Sequence, residues 1–388
     1  MVRRALDAAE PRRVVLIALL VRLPELSRCA TAPRTTHLVI VVPPPAASPG
    51  SPARRPTIAD VARAAGVSTA VVSYAFNGRP GVSAATRERV LRIAAEYRWR
   101  PSAAARSMHT GPRAIGLVVT TEAGGTAQAA AFFDFVTATQ AVVAEHGYAL
   151  VLHVVDSAEA AVTTYQQWWA ERRFDVMIVT DVLTQDPRVD ALRRMRAPAV
   201  VLGPPDVAQG LASVSFDEQE GYARVAAYLV GLGHREVAAV TAPAGLHRTR
   251  LRLDVLARAL DDVGGTLTPM ATNASAEGAA AATRRLLTAP MPPSCIVYDG
   301  DQPAVAALDV ARRLGLEVPW DLSILAAGDS ALCRLATPSI TALPIPLTEL
   351  GTAVGRAVLA VLDGQPELSR VVPIGSLAVR GSTGPHAR

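Results

Sequence analysis

The chain has 388 residues, half of them apolar, so it can bury more than one core and is expected to form two or three domains. Its three cysteines, Cys29, Cys295 and Cys333, are odd in number and far apart, which excludes a disulfide framework or a metal-ligand spacing and favours a reducing cytosol. The net charge is +5, and all 39 basic residues are arginine.

The charge is distributed unevenly along the chain. Residues 54–113 hold 11 arginines against Asp60, Glu88 and Glu96, whereas residues 114–388 hold 21 arginines and 28 acidic residues. A short basic module joined to a larger acidic body is typical of a protein that binds nucleic acid.

The N-terminal segment imitates an export signal without matching one well. Residues 14–23 are apolar but shorter than the roughly 20 residues that a membrane helix needs. Asp7 and Glu10 are unusual in a leader, and a proline-rich run follows. We therefore expect residues 1–53 to be a disordered or mis-assigned extension.

The next segment predicts a first short helix. Thr57 can cap it, and Gly66 can end it in a left-handed conformation. The apolar positions fall at helical spacing on one face, at Ile58, Val61, Ala62 and Ala65.

Two further helices are predicted. Ser68 can cap a helix that runs to about Phe76 and ends at Asn77-Gly78, and its inward residues are Val71, Val72 and Ala75. Ser83 can cap a third helix, with Val90, Ala94 and Tyr97 on one face. Two short helices joined by a glycine turn and braced by a third helix predict a helix-turn-helix.

The stretch PTIADVARAAGVSTAVVSYAFNGRPGVSAATRERVLRIAAEYRWRPSAAARSMHTGPRAIGLVV carries a more specific signal. Its T-I-x-D-V-A opening, A-G-V-S turn, V-S-x-x-x-N helix, V-S-x-x-T-R segment and final R-P-x-x-x-A-R resemble the head of the lactose-repressor (LacI/GalR) family. The resemblance continues more weakly to nearly the C-terminus.

The resemblance implies that the second helix enters the DNA major groove. Thr69, Ala70 and Tyr74 would then face base edges, and because none of them is Arg, Gln or Asn, no operator sequence can be deduced. Other polar residues are candidate contacts to DNA, with capping or solvation as the alternative for each: Thr57, Ser68, Ser73, Asn77, Ser83, Thr86 and, less strongly indicated, Arg87.

Residues 102–112 resemble the hinge helix and linker of the family. Ser102, Ala105 and Arg106 are candidate contacts to DNA, and Met108 stands where an apolar residue wedges between base pairs. The alternative is a plain linker with an incidental methionine.

From residue 114 onward, short apolar strands alternate with helices in two series, which predicts two doubly wound parallel sheets. The predicted strands lie at 114–120, 149–155, 175–180, 199–203, 236–242, 295–300 and 322–328, with a helix at 132–146. The resemblance makes 322–328 the last strand of the second lobe and TPSITAL (337–343) the return to the first. Ligands of such folds lie at the carboxyl ends of the strands, here between the lobes.

The resemblance implies an effector site, although the chain departs from the family there. The candidate effector-binding residues are Phe132, Phe133, Arg252, Asp301 and Asp329. Alternatively, Arg252 and Asp301 form a structural ion pair, and Phe132 belongs to the core. Ala130-Ala131, Gly300 and Gly328 replace polar or conformationally special family residues, so a plain hexose is a poor fit.

These observations predict an all-α helix-turn-helix head followed by an α/β periplasmic-binding-protein-like body of two doubly wound parallel-sheet lobes. The expected parts are the 1–53 extension, a 54–101 DNA-binding domain, a 102–112 hinge and linker, and a 113–382 effector-binding and dimerisation domain.

The expected function is a cytoplasmic, nucleoid-associated repressor that acts as a homodimer. Its partners would be operator DNA and a small-molecule effector, a sugar or another metabolite, with no membrane contact and no cofactor. No phosphate loop, nucleophile elbow or metal-ligand motif indicates an enzyme. The alternative is an exported solute-binding protein of a transporter, which leaves the basic head unexplained.

Overall fold

A computed structural model describes residues 56–76, 79–99, 113–121, 129–273 and 275–386. The chain divides into two compact units, Met1–Pro101 and Ser102–Arg388. We call the described part of the first unit the head and that of the second unit the body. The predictions for residues 1–53 and for the hinge at 102–112 lie outside the described residues.

The head contains the three predicted helices. They are α1 (Ile58–Ala65), α2 (Thr69–Phe76) and α3 (Ala84–Glu96). The Thr57 hydroxyl accepts a hydrogen bond from the Asp60 backbone N–H, and the Asp60 carboxylate accepts one from the Thr57 N–H, which completes a capping box. Gly66 ends α1 with φ 63°, a left-handed conformation that costs glycine little.

The head core differs from the prediction at the end of α3. Tyr97 was expected to face inward, but the helix ends at Glu96 and the Tyr97 side chain is 44% exposed. Ile93 is buried instead, and the Trp99 ring meets Phe76 edge to face at 5.3 Å. The buried core residues of the head are Val61, Ala62, Ala65, Val72, Ala75, Val90, Ile93 and Ala94.

The first lobe of the body is built on a six-stranded parallel sheet, in the order β11, β5, β4, β3, β1, β2. Its strands are β1 (Ala114–Thr120), β2 (Ala149–Val155), β3 (Val176–Val179), β4 (Ala199–Leu202), β5 (Ala212–Phe216) and β11 (Ser369–Val372). The helices of this part of the chain are α4 (Ala129–Glu145), α5 (Ala158–Ala170), α6 (Pro187–Met195), α7 (Pro205–Ala208) and α13 (Leu347–Leu362).

The second lobe is built on a five-stranded parallel sheet, in the order β10, β9, β8, β6, β7. Its strands are β6 (Glu236–Thr241), β7 (Thr266–Ala271), β8 (Cys295–Tyr298), β9 (Ser323–Ala327) and β10 (Thr341–Leu343). Its helices are α8 (Glu218–Gly231), α9 (His247–Asp261), α10 (Ala276–Leu287), α11 (Asp301–Arg313) and α12 (Ala331–Leu335).

One predicted segment has a different role in the structure. The segment TPSITAL was expected to return the chain to the first lobe, but its last three residues form β10 and pair with β9, Thr341 beside Leu325. Because the strand has only three residues and all of them are buried, its sequence does not distinguish it from a segment that connects the two lobes. The return to the first lobe begins only after Leu343.

The chain passes between the lobes three times: after β5, after β10 and after β11. The last passage brings Ile374 into the core of the second lobe and Ala378 into a backbone bridge with Ala342. The prediction of two doubly wound parallel sheets is therefore confirmed, and the first sheet is completed by β11, a strand from a distant part of the chain.

Helices α4 and α13 pack unusually close together in the first lobe. A Cβ atom on Gly355 would lie 2.7 Å from the Cβ of Val142, and one on Gly351 would collide with the backbone carbonyl of Phe135. The hydroxyl of Thr139 donates a hydrogen bond to the Gly351 carbonyl at 3.1 Å. The two glycines permit this approach because they lack side chains.

Candidate DNA surface and interlobe cleft

Helix α2 presents a polar face to solvent. Thr69, Ala70 and Tyr74 are exposed, while Val72 and Ala75 on the opposite face are buried in the head core. The structure thus leaves all three residues that the resemblance assigns to base edges accessible to a partner.

Arg79 lies beside this face and was not singled out from the sequence. Its guanidinium carbon is 5.8 Å from the centroid of the Tyr74 ring, near the outer limit of a cation–π contact. The Arg87 guanidinium donates a hydrogen bond to the Arg79 carbonyl at 3.1 Å. The only sequence signal for Arg79 is its position shortly after α2.

Several candidate DNA contacts serve as helix caps. The Ser68 hydroxyl accepts from the Val71 N–H at 3.3 Å, and the Ser83 hydroxyl accepts from the Thr86 N–H at 3.2 Å. The Ser83 hydroxyl also donates to the Thr86 hydroxyl at 2.9 Å. Ser73 is half-buried. The remaining candidates lie outside the described residues: Asn77, Ser102, Ala105, Arg106 and Met108.

The two lobes of the body touch at one edge of the cleft between them. The His247 N–H donates to the Val182 carbonyl at 2.9 Å, and the Thr184 N–H donates to the Gly245 carbonyl at 3.2 Å. Arg248, in the first turn of α9, forms an ion pair with Asp181, which follows β3. These contacts hold the loop after β3 against the start of α9.

A cavity of about 300 Å³ adjoins this contact. Its walls come from the ends of β4 and β5, from the first turns of α8 and α9, and from β11. The lining residues are Asp181, Val182, Leu202, Gly203, Pro204, Pro205, Ser215, Phe216, Asp217, Glu218, Gln219, His247, Arg248, Leu251 and Val371. The cavity therefore lies at the carboxyl ends of strands, where ligands of this architecture bind.

Arg252 is buried and fully engaged by the protein itself. Its Nε and Nη2 atoms contact the Glu218 carboxylate, and its Nη1 atom donates to Asp299 at 2.9 Å. The guanidinium carbon lies 5.1 Å from the centroid of the Tyr222 ring. Burial by itself would lower the pKa of Arg252, but the charges of Glu218 and Asp299, with the hydrogen bond to Asp299, outweigh it and raise the pKa.

The other predicted effector residues lie outside the lining of this cavity. Asp329 pairs with Arg380 at 2.7 Å, and Asp301 accepts from the Gln302 N–H at 2.8 Å. Phe132 is half-buried, with its ring 5.8 Å from that of Phe135, and the Phe133 side chain is 48% exposed. None of the five predicted effector residues is among the described residues that line the cavity.

The alternative prediction, an ion pair between Arg252 and Asp301, is wrong about the partner. Arg252 pairs with Glu218 and Asp299 instead. Glu218, Asp299 and Asp181 also belong to the cleft and were not predicted from the sequence. Each lies within two residues of the end of a parallel strand: β5, β8 and β3 respectively. That position is the signal that would have indicated them.

The described residues contain no group of three or more His, Cys, Asp or Glu side chains placed to hold a metal ion. Within the same residues, no helix combines the length and the apolar character needed to cross a membrane.

Known proteins match both parts of the chain. Residues 57–102 match "Bacterial regulatory proteins, lacI family", and residues 226–383 match "Periplasmic binding protein-like domain". The transcriptional regulator AglR of Rhizobium meliloti is 29% identical over 82% of this chain and 92% of its own length. The transcriptional repressor PurR of Escherichia coli O139:H28 is 29% identical over 76% of this chain and 87% of its own length.

The fold is also similar to a solved structure of the Lac repressor dimer bound to operator and an anti-inducer. That likeness has a TM-score of 0.75 and 25% identity, and it covers 85% of this chain and 100% of the other. These similarities favour a regulator over an exported solute-binding protein, and the relatives named are regulators rather than enzymes. The chain therefore combines a lacI-family DNA-binding region at residues 57–102 with a periplasmic-binding-protein-like domain at residues 226–383, and it is a DNA-binding transcriptional regulator.

Proposed function

We propose that this regulator is a homodimeric repressor whose affinity for operator DNA is controlled by a small molecule bound between the two lobes of the body. The observation that carries the proposal is the exposed α2 face in a chain whose body has a cavity at the carboxyl ends of its strands. The relatives named above, a repressor and an operator-bound dimer, support it. A cytoplasmic location on the chromosome follows from this role.

In this proposal, α2 reads bases in the major groove. Thr69 and Tyr74 offer hydroxyls, and Ala70 offers a methyl group to a thymine methyl. Arg79, beside Tyr74, adds a cation for a phosphate or a guanine edge. Two heads would span half-sites about one helical turn, roughly 34–36 Å, apart.

Residues 102–112 would connect the DNA-binding domain (54–101) to the effector-binding and dimerisation domain (113–382). By the family resemblance, Met108 wedges into the minor groove and kinks the duplex. Met108→Gly is then expected to weaken specific binding while leaving salt-driven nonspecific binding nearly intact.

The switch would act through closure of the cleft. The Arg248–Asp181 ion pair already joins the lobes, so a ligand that adds or removes contacts there changes the population of closed bodies. A coupling of about 1–3 kcal/mol between the cleft and the DNA is enough for a useful switch.

The test is a genome-wide DNA pulldown with the purified full chain, followed by sequencing of the bound fragments. The chain should enrich a nearly palindromic site, and Tyr74→Ala should abolish that enrichment. Tyr97→Ala is the matched control, because it removes another exposed tyrosine of the head that is outside α2. Enrichment that survives Tyr74→Ala, or no enriched sequence at all, would contradict the proposal.

A further inference from the structure

The cavity between the lobes is lined by more acidic than basic groups. Three carboxylates line it, those of Asp181, Asp217 and Glu218. Arg248 carries the one guanidinium among its described lining residues. Arg248 is paired with Asp181. The second guanidinium of the cleft belongs to Arg252, which lies behind the cavity wall and forms ion pairs with both Glu218 and Asp299.

Arg252 is closed to an anionic ligand. Its side chain is 5% exposed, and its Nε, Nη1 and Nη2 atoms all meet carboxylate oxygens of the protein. A carboxylate or phosphate that sought Arg252 would have to displace one of these carboxylates and leave it buried without its counterion, which is strongly unfavourable.

The two carboxylates around Arg252 differ in whether they leave an acceptor oxygen available to a ligand. Asp299 is held on both oxygens, since its Oδ1 also accepts from the Tyr222 hydroxyl at 3.4 Å and its Oδ2 accepts from the Ala242 N–H at 3.1 Å. Glu218 meets Arg252 through Oε1 alone, and among the contacts of the described residues its Oε2 has no donor. Glu218 lines the cavity, so Oε2 is an acceptor left for a ligand.

The helix dipoles at the cleft do not reverse the excess of negative charge there. Helices α8 and α9 begin beside the cavity and contribute about half a positive charge each. Asp217 caps α8 by accepting from the Glu220 N–H at 3.1 Å, so part of that contribution is already offset. Four carboxylates against two guanidiniums leave the cleft negative.

Apart from Ser215, Gln219 and His247, the remaining walls are apolar. They are formed by side chains from both lobes: Val182, Leu202, Pro204, Phe216, Leu251 and Val371. Such walls accommodate a hydrocarbon or aromatic body.

We propose that the cleft binds a small molecule that carries a cationic hydrogen-bond donor, an amine or a guanidine, on an apolar body, with Glu218 as the residue that recognises the cation. The inference rests on the proposed function in taking this cleft as the effector site. It excludes carboxylates, phosphates and plain sugars as the preferred ligand class.

Three probes of one shape test the charge preference: benzylamine, benzyl alcohol and benzoate, titrated into the full chain at pH 7 by calorimetry. Benzylamine should bind at least tenfold more tightly than the other two. Binding of benzoate or benzyl alcohol within threefold of benzylamine, or no binding of benzylamine up to 10 mM, would overturn the proposal, since a fragment of this size is expected to bind in the millimolar range.

The residue assignment is tested by Glu218→Gln, which should weaken benzylamine at least tenfold and strengthen benzoate, because Arg252 then keeps only one carboxylate. The matched control is Glu220→Gln on the same helix, an exposed glutamate paired with Arg224, which should leave both affinities unchanged. Equal effects of the two substitutions would overturn the assignment.

A second variant tests the proposal even if Glu218→Gln does not fold. Asp217→Asn removes a cavity charge but retains an N-cap, because asparagine caps helices as well as aspartate does. It should weaken benzylamine about threefold, and unchanged affinity would overturn the electrostatic argument.

Operator binding, measured with and without 10 mM of each probe, separates this inference from the proposed function. If benzoate or benzyl alcohol changes operator affinity through the cleft and benzylamine does not, the proposed function stands and the inference falls. If benzylamine binds as expected and operator affinity never responds, the inference stands and control of DNA binding by the cleft falls.

Discussion

Exposed arginine–carboxylate pairs occur in both the head and the body, but among the described residues only the body also has buried ones. In the head, Arg92 meets Glu96 at 2.8 Å with side chains 63% and 56% exposed, and Arg63 meets Asp60 across one turn of α1. In the body, Arg188 meets Asp186 at 2.7 Å with both side chains almost fully buried. Water screens the first kind of pair and not the second.

The difference shows how each region is held together. The head relies on its small apolar core and its helix caps, so its surface charges remain available to a partner. The body uses buried charges to fix loops at the cleft: Arg188 also donates to the carbonyl of Asp181, the residue that pairs with Arg248. Among the described residues, charge is therefore a surface property in the head, whereas the body has surface pairs and also uses buried charge as a structural element.

The largest effect should come from breaking the buried pair. Arg188→Ala would leave Asp186 charged and buried without its counterion, so we expect the free energy of unfolding of the body to fall by about 3–5 kcal/mol. Urea unfolding measures this. Arg194→Ala, an exposed arginine of the same helix, is the control and should change it by less than about 0.5 kcal/mol. Similar losses for both variants would contradict the contrast.

The next effect is a pH dependence of the body. Burial, reinforced by the nearby His386, lowers the pKa of His234 to about 4 from its ordinary 6.5. Because the unfolded chain binds the proton more readily, this stabilisation is present above pH 6.5 and is lost as the pH falls towards 4. Up to about 3 kcal/mol of unfolding free energy is involved, at about 1.4 kcal/mol per pKa unit.

Unfolding free energies at pH 7 and pH 4.5 measure this term. The slope with pH should be smaller in His234→Gln than in His146→Gln, which removes an exposed histidine. Equal slopes in the two variants would refute the assignment. Residues 56–99 of the head contain no histidine, so this term belongs to the body.

A smaller effect is expected where the body packs without charge. Gly351→Ala would push α13 from α4, because the new methyl group meets the carbonyl of Phe135. We expect a loss of about 1–3 kcal/mol in thermal unfolding. Gly231→Ala is the control, since the helical Gly231 has open space around it, and it should be neutral or slightly stabilising. A loss in both variants would indicate a helix effect rather than close packing.

The smallest effect sharpens the comparison from the side of the head. Arg92→Ala breaks an exposed pair on α3 and should cost about 0.3–0.5 kcal/mol, less at high salt. Amide hydrogen exchange in α3 measures it. A loss above 2 kcal/mol would mean that the head also depends on its ion pairs.

The sequence by itself determined the local parts of this protein. The bounds of α1 follow from Thr57 and Gly66, and the strands β1 and β2 lie where their apolar runs predicted them. The head could be recognised almost completely because a helix-turn-helix is built from caps, turns and 3.6-residue periodicity. All of these are contacts between near neighbours in the chain.

Only the tertiary structure decided the partners in the cleft. Arg252 meets Glu218 and Asp299, which are 34 and 47 residues away, and β10 joins the second sheet although its three residues resemble a connection. Periodicity reveals which face of an element is buried but not which side chains converge from different elements. The charge of the cleft arises from that convergence, so it depended on how two sheets brought distant residues together.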